Sequence, residues 1–394
     1  MATYKSRGRR SPVVAVTTIV LVFLAGGVTG AVVSRVLSRA TPATTSGGST
    51  PPAVSTSTTT LPPPALSVVS VTPPNGATGV AADAPITVSF SAPLAADSPS
   101  PILEPAPSGT WHASGPRFVF TPSTDFSPLS DVTLTLPGGS TGILGTAGGR
   151  LPQSETVQFE VANGSVVRIQ QLLSLLDYSP LAFVPKGPAV SPNDSAAQLA
   201  AAYEPPAGTY RWRNPGWPAQ LRAMWQPGMD NVFTRGLIMS FQADHSLTPN
   251  GEVGADLWTA LIGALATNTV NTGGYNYALA NKAAPESLAV YHDGAIVLQT
   301  PANTGITASP TADGTFPVYT RLRRQVMRGT NPDGQHYADL VQYIAYFHGN
   351  DAVHYMDRAD YGIPQSLGCV ELPLAAAMRA WPYLAYGTLV TIIN

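Results

Sequence analysis

Proline and glycine place the tightest limit on what this chain can fold into. With 38 Pro and 36 Gly among 394 residues, few stretches run long enough for an extended helix. Short strands and turns should therefore dominate, with helix in the minority. The length implies two or three domains rather than one core. Between the breakers the character of the sequence changes, and the changes divide it at residues 1–40, 41–64, 65–164, 165–268 and 269–394.

Residues 1–40 place Lys5, Arg7, Arg9 and Arg10 ahead of Val13 to Val33, a run of 21 residues without a charge. As a helix that run would be about 32 Å long, enough for the hydrocarbon core of a bilayer. A signal peptide has a shorter apolar region with a small-residue cleavage site close behind it, so a retained transmembrane helix is expected. The basic flank puts the N-terminus in the cytoplasm and the rest of a single-pass protein outside the plasma membrane. Residues 41–64 follow with 18 Ser, Thr or Pro among 24 and no charge. Such a segment buries no core and reads as a linker or stalk.

In residues 65–164 the runs ITVSFS, RFVFTP, VTLTL and VQFEV alternate apolar with polar, separated by PNGATG, SPSP and PGG. Short strands at this spacing predict an antiparallel β-sandwich, with His112 in one of its loops. Residues 165–268 switch to helical period. Val167, Ile169, Leu172, Leu173, Leu175 and Leu176 recur at that spacing, VFTRGLIMSFQADHSL repeats it, and a further helix is expected from Asp256 after the Asn250-Gly251 turn. A small three-helix domain results, with His245 at a helix end. Ser179 to Asn231 interrupts it as an insertion rich in Pro and Trp. Its aromatics either cover the small helical core, the reading preferred here, or stack on sugars. Residues 269–394 return to strands, with a hairpin across His292-Asp293-Gly294 and a short helix in LAAAMRAWPYLAY.

Charge narrows the function. Lys and Arg total 21 against 23 Asp and Glu, for a net charge of −2; no basic field covers the chain, which argues against nucleic acid as a partner. No H-x-x-x-H or Cys–His pair accompanies His245, so zinc has no visible site, and no metal or organic cofactor is expected. The chain has one cysteine, Cys369. A lone thiol in an exported protein is reactive, pairs with another molecule, or is buried as a small apolar group. A thiol attacks carbonyls well only when a base or a positive environment activates it. Two histidines stand upstream, His348 and His354; AVHYM reads as a strand that a loop could return to Cys369, whereas His348 falls beside a hairpin turn at Gly349-Asn350-Asp351. Gly368 permits a tight turn whose N–H groups could face an oxyanion. Arg321, Arg323, Arg324 and Arg328 form a basic cluster that either binds substrate carboxylates or lines a solvated strand face.

The stretch VHYMDRADYGIPQSLGC resembles the motif of the L,D-transpeptidase catalytic domain, also called YkuD: a histidine, a loop, then Ser/Thr-His-Gly-Cys. Gly314 and Phe316 in SPTADGTF add a looser match. The resemblance implies that Cys369 is the nucleophile and His354 its base, with Ser366 and Gly368 supporting the motif. Arg321, Arg323, His348 and Tyr355 become candidates for substrate contact. Two positions depart from the pattern. Leu367 stands where the motif has histidine, and Glu371 stands where relatives often carry Arg or Asn, which should alter substrate choice or raise the thiol pKa. Tyr355 follows the base where some relatives have a small hydroxyl residue, leaving a backbone carbonyl to orient the imidazole. Residues 65–164 resemble bacterial Ig-like domains. Gln170, Leu173, Tyr178, Phe241, Gln242, Gly251, Gly254 and Trp258 resemble a peptidoglycan-binding domain of the three-helix type.

The fold class expected is thus multidomain and mainly β: a transmembrane helix, an Ig-like sandwich, a three-helix domain and a β-rich L,D-transpeptidase-type domain. What the resemblance implies is an enzyme of cell wall biogenesis with peptidoglycan as its partner. It would form an acyl-enzyme on Cys369 from a tetrapeptide stem and pass it to an amine, giving a 3→3 cross-link. The alternative is a non-catalytic wall anchor whose catalytic domain has decayed at Leu367 and Glu371.

Overall fold

The computed structural model describes residues 62–394; the expected transmembrane helix and nearly all of the stalk lie outside the described residues. No helix among the described residues is long and apolar enough to cross a membrane.

The first domain is the expected sandwich. Its strands are β1 (Val68–Thr72), β2 (Ala77–Val80), β3 (Ile86–Phe90), β4 (Ile102–Glu104), β5 (Gly109–Ser114), β6 (Arg117–Pro122), β7 (Asp131–Leu136) and β8 (Glu155–Val161). They form two four-stranded sheets in the orders β1-β3-β6-β5 and β2-β8-β7-β4. The period-two pattern does the sorting: Ile86, Val88 and Phe90 of β3 and Val132, Leu134 and Leu136 of β7 all point into the shared core. His112 lies within β5 rather than in a loop. Its neighbour Trp111 packs against Phe118 and Phe120 across the edge of the sheet, which carries the strand through the histidine.

Five helices, not three, lie in the next segment. α1 (Val166–Leu175), α4 (Val232–Asp244) and α5 (Ala255–Ala266) fall where the helical spacing placed them. The stretch read as an insertion adds β9 (Leu181–Pro185), α2 (Ser195–Tyr203), β10 (Gly208–Trp212) and α3 (Ala219–Met224). Its tryptophans do cover the core: Trp217 is buried, and Trp212 and Trp225 pack on the same cluster. The residues that carried the three-helix resemblance are structural. Gln242 accepts the Gly251 N–H and donates to the Glu252 carbonyl, Tyr178 packs edge-on against Phe241, and Trp258 is fully buried. His245 caps the end of α4, stacked on Phe241.

The third domain holds β11 (Asn276–Asn281), β12 (Ser287–His292), β13 (Ala295–Pro301), β14 (Gly314–Pro317), β15 (Thr320–Thr330), β16 (His336–His348), β17 (Asp351–Tyr355), β18 (Val370–Leu372), α6 (Leu374–Ala380) and β19 (Leu389–Ile393). A five-stranded sheet, β13-β12-β11-β19-β14, and a four-stranded sheet, β15-β16-β17-β18, enclose a second core. Val290, Val390 and Ile392 meet Phe347, Val353, Val370 and Leu372 there. The β12–β13 turn uses Asp293 and Gly294, both with positive φ, as a two-residue hairpin requires. The core of the helical segment extends into this domain and takes in Tyr275, Tyr277 and Leu389.

Candidate active site

β17 and β18 run parallel, with Val353 opposite Val370 and His354 opposite Glu371. Val353 and Val370 are both buried in the core between the sheets. Alternation then turns Ala352, His354, Cys369 and Glu371 to the other face. With about 4.8 Å between strands and about 3.3 Å of rise per residue, the Cα atoms of His354 and Cys369 stand roughly 8 Å apart, a gap their side chains can close. Both residues line one cleft of about 630 Å³.

His354 is 3% exposed. Its Nδ1 lies 2.9 Å from the Tyr355 carbonyl oxygen. A carbonyl only accepts, so Nδ1 carries the proton in the neutral ring and Nε2 keeps its lone pair. Burial pushes the imidazole below its ordinary pKa; the Tyr355 carbonyl and Glu371 work against that, and Arg358 reinforces it. The imidazole is therefore neutral and oriented by the main chain, as the sequence suggested.

Cys369 is half-buried and packs against Val341, Ile344 and Ala352. Burial pushes the thiol up to about 12; the Ala352 N–H acts in the opposite direction, and Asp351 and Glu371 add to the rise. The sulfur's hydrogen-bond acceptor is the Asn350 carbonyl, at 3.8 Å. Ser366 and Gly368 hold the turn that presents it. Ser366 is buried, donates its hydroxyl to the Cys369 carbonyl at 2.6 Å and accepts the Gly368 N–H at 3.2 Å. Gly368 has φ of 116°, in the region that glycine favours, and a Cβ there would run into the Asp351 carboxylate. Leu367 faces the cleft, while its carbonyl accepts from the Ser309 hydroxyl at 3.0 Å.

Glu371 does not stand as a bare charge beside the thiol. Arg358, on the loop joining β17 to β18, donates Nε and Nη2 to its two carboxylate oxygens at 2.8 and 2.7 Å. That guanidinium went unnoticed in the sequence; the only available signal was an arginine inside the His354–Cys369 loop with an acid following the motif. Asn303 was missed as well. It is fully buried, accepts the Gly362 N–H at 2.9 Å, donates to the Asp360 carbonyl at 3.1 Å, and pairs its backbone with Glu371. It thereby pins both the loop and β18.

The far wall of the cleft comes from the long β15–β16 hairpin, through Gln325, Met327, Arg328, Tyr337 and the tip at Asn331–Asp333. Four residues proposed for substrate contact lie elsewhere. Arg321 stacks on Trp381 at 4.2 Å and donates to its carbonyl at 2.6 Å, and Arg323 lies over Tyr343 and Trp381. Neither lines the cleft; Arg328 of the same strand does. Arg321 and Arg323 both pack on Trp381, the residue that follows α6. His348 ends β16, its ring against Phe316 and 3.5 Å from Asp351. Tyr355 contributes its carbonyl to His354 and packs against the core between the sheets. No group of His, Cys, Asp and Glu among the described residues is arranged to hold a metal ion.

Comparison with known proteins agrees with this geometry in two places. Residues 275–392 match the family model of the L,D-transpeptidase catalytic domain, and residues 62–161 match that of a bacterial Ig-like domain. The C-terminal module is thus an L,D-transpeptidase catalytic domain of the YkuD family, preceded in the chain by a bacterial Ig-like domain. The comparison with curated proteins finds no match. Among solved structures, an L,D-transpeptidase from Mycobacterium smegmatis is 13% identical, with 83% of this chain and 98% of that one covered at a TM-score of 0.28. L,D-transpeptidase 3 from Mycobacterium tuberculosis, in complex with a faropenem-derived adduct, is 14% identical with the same coverage and TM-score. The catalytic domain of an E. faecium L,D-transpeptidase acylated by ertapenem is 25% identical, covering 30% of this chain and 97% of that one, again at 0.28.

Proposed function

We propose that the chain is a cysteine-dependent L,D-transpeptidase acting on peptidoglycan. The observation that carries this reading is the common face of β17 and β18, on which an oriented neutral imidazole and the single thiol border one open cleft. The Cys369 sulfur attacks the carbonyl of the third residue of a tetrapeptide stem while His354 Nε2 takes the thiol proton. The C–N bond breaks, the terminal D-alanine leaves with the proton from His354, and a thioester remains. The side-chain amine of a second stem then attacks the thioester, its proton passes through His354 to the departing sulfur, and a 3→3 cross-link results. Ser366 Oγ already engages the Gly368 N–H, which leaves the Cys369 N–H as the donor for the oxyanion.

The helical segment is assigned to peptidoglycan binding and the N-terminal run to a membrane anchor, both on the residue patterns given above. The rival reading, a wall anchor with a decayed catalytic domain, draws on Leu367 and on the high thiol pKa. Arg358 weighs against decay, because it answers the charge that Glu371 brings in. The test is intact-protein mass spectrometry after incubation with a carbapenem. The reading expects a covalent adduct on Cys369 that disappears in Cys369→Ala and forms at least about a hundredfold more slowly in His354→Ala. Wall binding with no adduct selects the anchor.

A further inference from the structure

Two carboxylates flank Cys369, and the fold treats them differently. Glu371 is held in a two-point ion pair by Arg358. Asp351 has no Lys or Arg within ion-pair distance among the described residues; its partner is His348 Nδ1 at 3.5 Å, a half-exposed imidazole that is charged only when protonated. The Asp351 side chain is 17% exposed. Burial raises its pKa, while His348 and the Ala312 N–H pull it back. The carboxylate fills the space that a side chain at 368 would need, directly under the turn that presents the sulfur. The other titratable groups facing it are Tyr319, whose hydroxyl donates to the Gly349 carbonyl, and Cys369 itself.

We propose that Asp351 is a positioning residue for the nucleophile: its carboxylate, lodged beneath Gly368, keeps the Cys369 sulfur in its thiol form at rest, so that the proton leaves only to His354 as a carbonyl is attacked. A carboxylate with no fixed cation repels charge developing on the neighbouring sulfur, and the apolar side chains of Val341, Ile344 and Ala352 packed against Cys369 limit the screening that water would supply. The arrangement gives a resting nucleophile that bulk electrophiles reach poorly. A substrate seated beside His354 still activates it, because proton and S–C bond move together. This role rests on Cys369 being the nucleophile, but its test does not depend on transpeptidation.

The test follows thioether formation between Cys369 and iodoacetamide, as a function of pH, in the full chain. Cys369 is the only cysteine, so the mass increment reports one site. Asp351→Asn keeps the shape and the acceptor for the Ala312 N–H but removes the charge. It is expected to move the midpoint of alkylation down by about one pH unit. At a fixed pH below that midpoint the thiolate is about tenfold more abundant, and its lower basicity takes back part of the gain, so alkylation runs about threefold faster. His348→Lys sets a permanent cation beside Asp351 at an exposed position and should shift the midpoint the same way, whether or not the Asn variant folds. A merely structural Asp351 predicts no downward shift in either variant, and that result overturns the proposal. Carbapenem acylation of the unmodified chain is measured alongside. Its absence would sink the transpeptidase reading and leave the alkylation result on Asp351 to be judged by itself.

Discussion

His354 and Cys369 gain their chemistry from opposite effects of the same enclosure. Burial holds the imidazole below its ordinary pKa of 6.5 and lifts the thiol, so the pair at rest is neutral rather than a thiolate–imidazolium pair. The sign for activity follows. Protonation of the base is displaced to lower pH, so the acid limb of carbapenem acylation should fall below pH 6.5. Stopped-flow acylation rates between pH 5 and pH 8, about 1.5 units either side of the ordinary histidine pKa, locate that limb; a limb at or above the ordinary value contradicts the neutral pair. Gly368 gives a second expectation at this scale. Alanine there would need both an unfavourable positive φ and space that the Asp351 carboxylate occupies. Gly368→Ala should cost about 1–3 kcal/mol of stability and slow acylation by tenfold or more, read by thermal unfolding and by adduct mass. The proposed nucleophile and base were legible as candidates because a lone thiol, a glycine before it and an upstream strand histidine are local signals. Arg358, Asp351 and Asn303 were not, because each acts across a pairing of strands or a loop closure that spacing alone does not show.

Among the elements, the β15–β16 hairpin most shapes what reaches the sulfur. Its strands were only partly legible. TRL and YIAYFH carry strand-like residues, but the outer half bears Gln325, Arg328, Asp333, Gln335 and Asp339 with little apolar alternation, because apart from Met327 and Val341, which join a small cluster, it packs on no core and faces the cleft. The same absence of packing explains why four arginines there looked equivalent. Position along β15 separates them: Arg321 and Arg323 pack on Trp381, and Arg328 reaches the cleft. Shortening the tip, with Asn331–Gln335 replaced by a two-residue Asn-Gly turn, should open the cleft while leaving β17 and β18 intact. The expected outcome splits by substrate size. KM for a tetrapeptide stem rises severalfold, whereas iodoacetamide alkylation of Cys369 stays equal or becomes faster. Equal losses with both reagents would show that the hairpin supports the fold rather than the binding surface.

The whole molecule joins its parts by two unlike seams. Between the sandwich and the helices the contacts are few and partly polar: Tyr203 donates to the Phe126 carbonyl at 2.9 Å, and Trp258 Nε1 donates to Asn163 at 3.1 Å. Between the helices and the catalytic sheets there is a shared core. Tyr275, Tyr277 and Leu389 are buried among helix residues, and Ser240 of α4 donates to the Tyr386 carbonyl at 3.0 Å. Gly236 lets α4 lie so close that a Cβ on it would be 2.7 Å from the Gly387 carbonyl oxygen. Burying three such side chains contributes about 1.5–3 kcal/mol each, a sum comparable with the roughly 5–15 kcal/mol by which a domain is stable. The catalytic sheets should therefore depend on the helices and not on the sandwich. A fragment of residues 165–394 is expected to unfold cooperatively near the temperature of the full chain's last transition, and one of residues 269–394 to be markedly less stable or to aggregate. In the full chain, Gly236→Leu should lower the same transition and leave that of the sandwich unchanged. Scanning calorimetry separates the two, because the sandwich has its own core. A fragment of residues 269–394 as stable as the longer one would mean that the shared core is a contact surface and not a condition of folding.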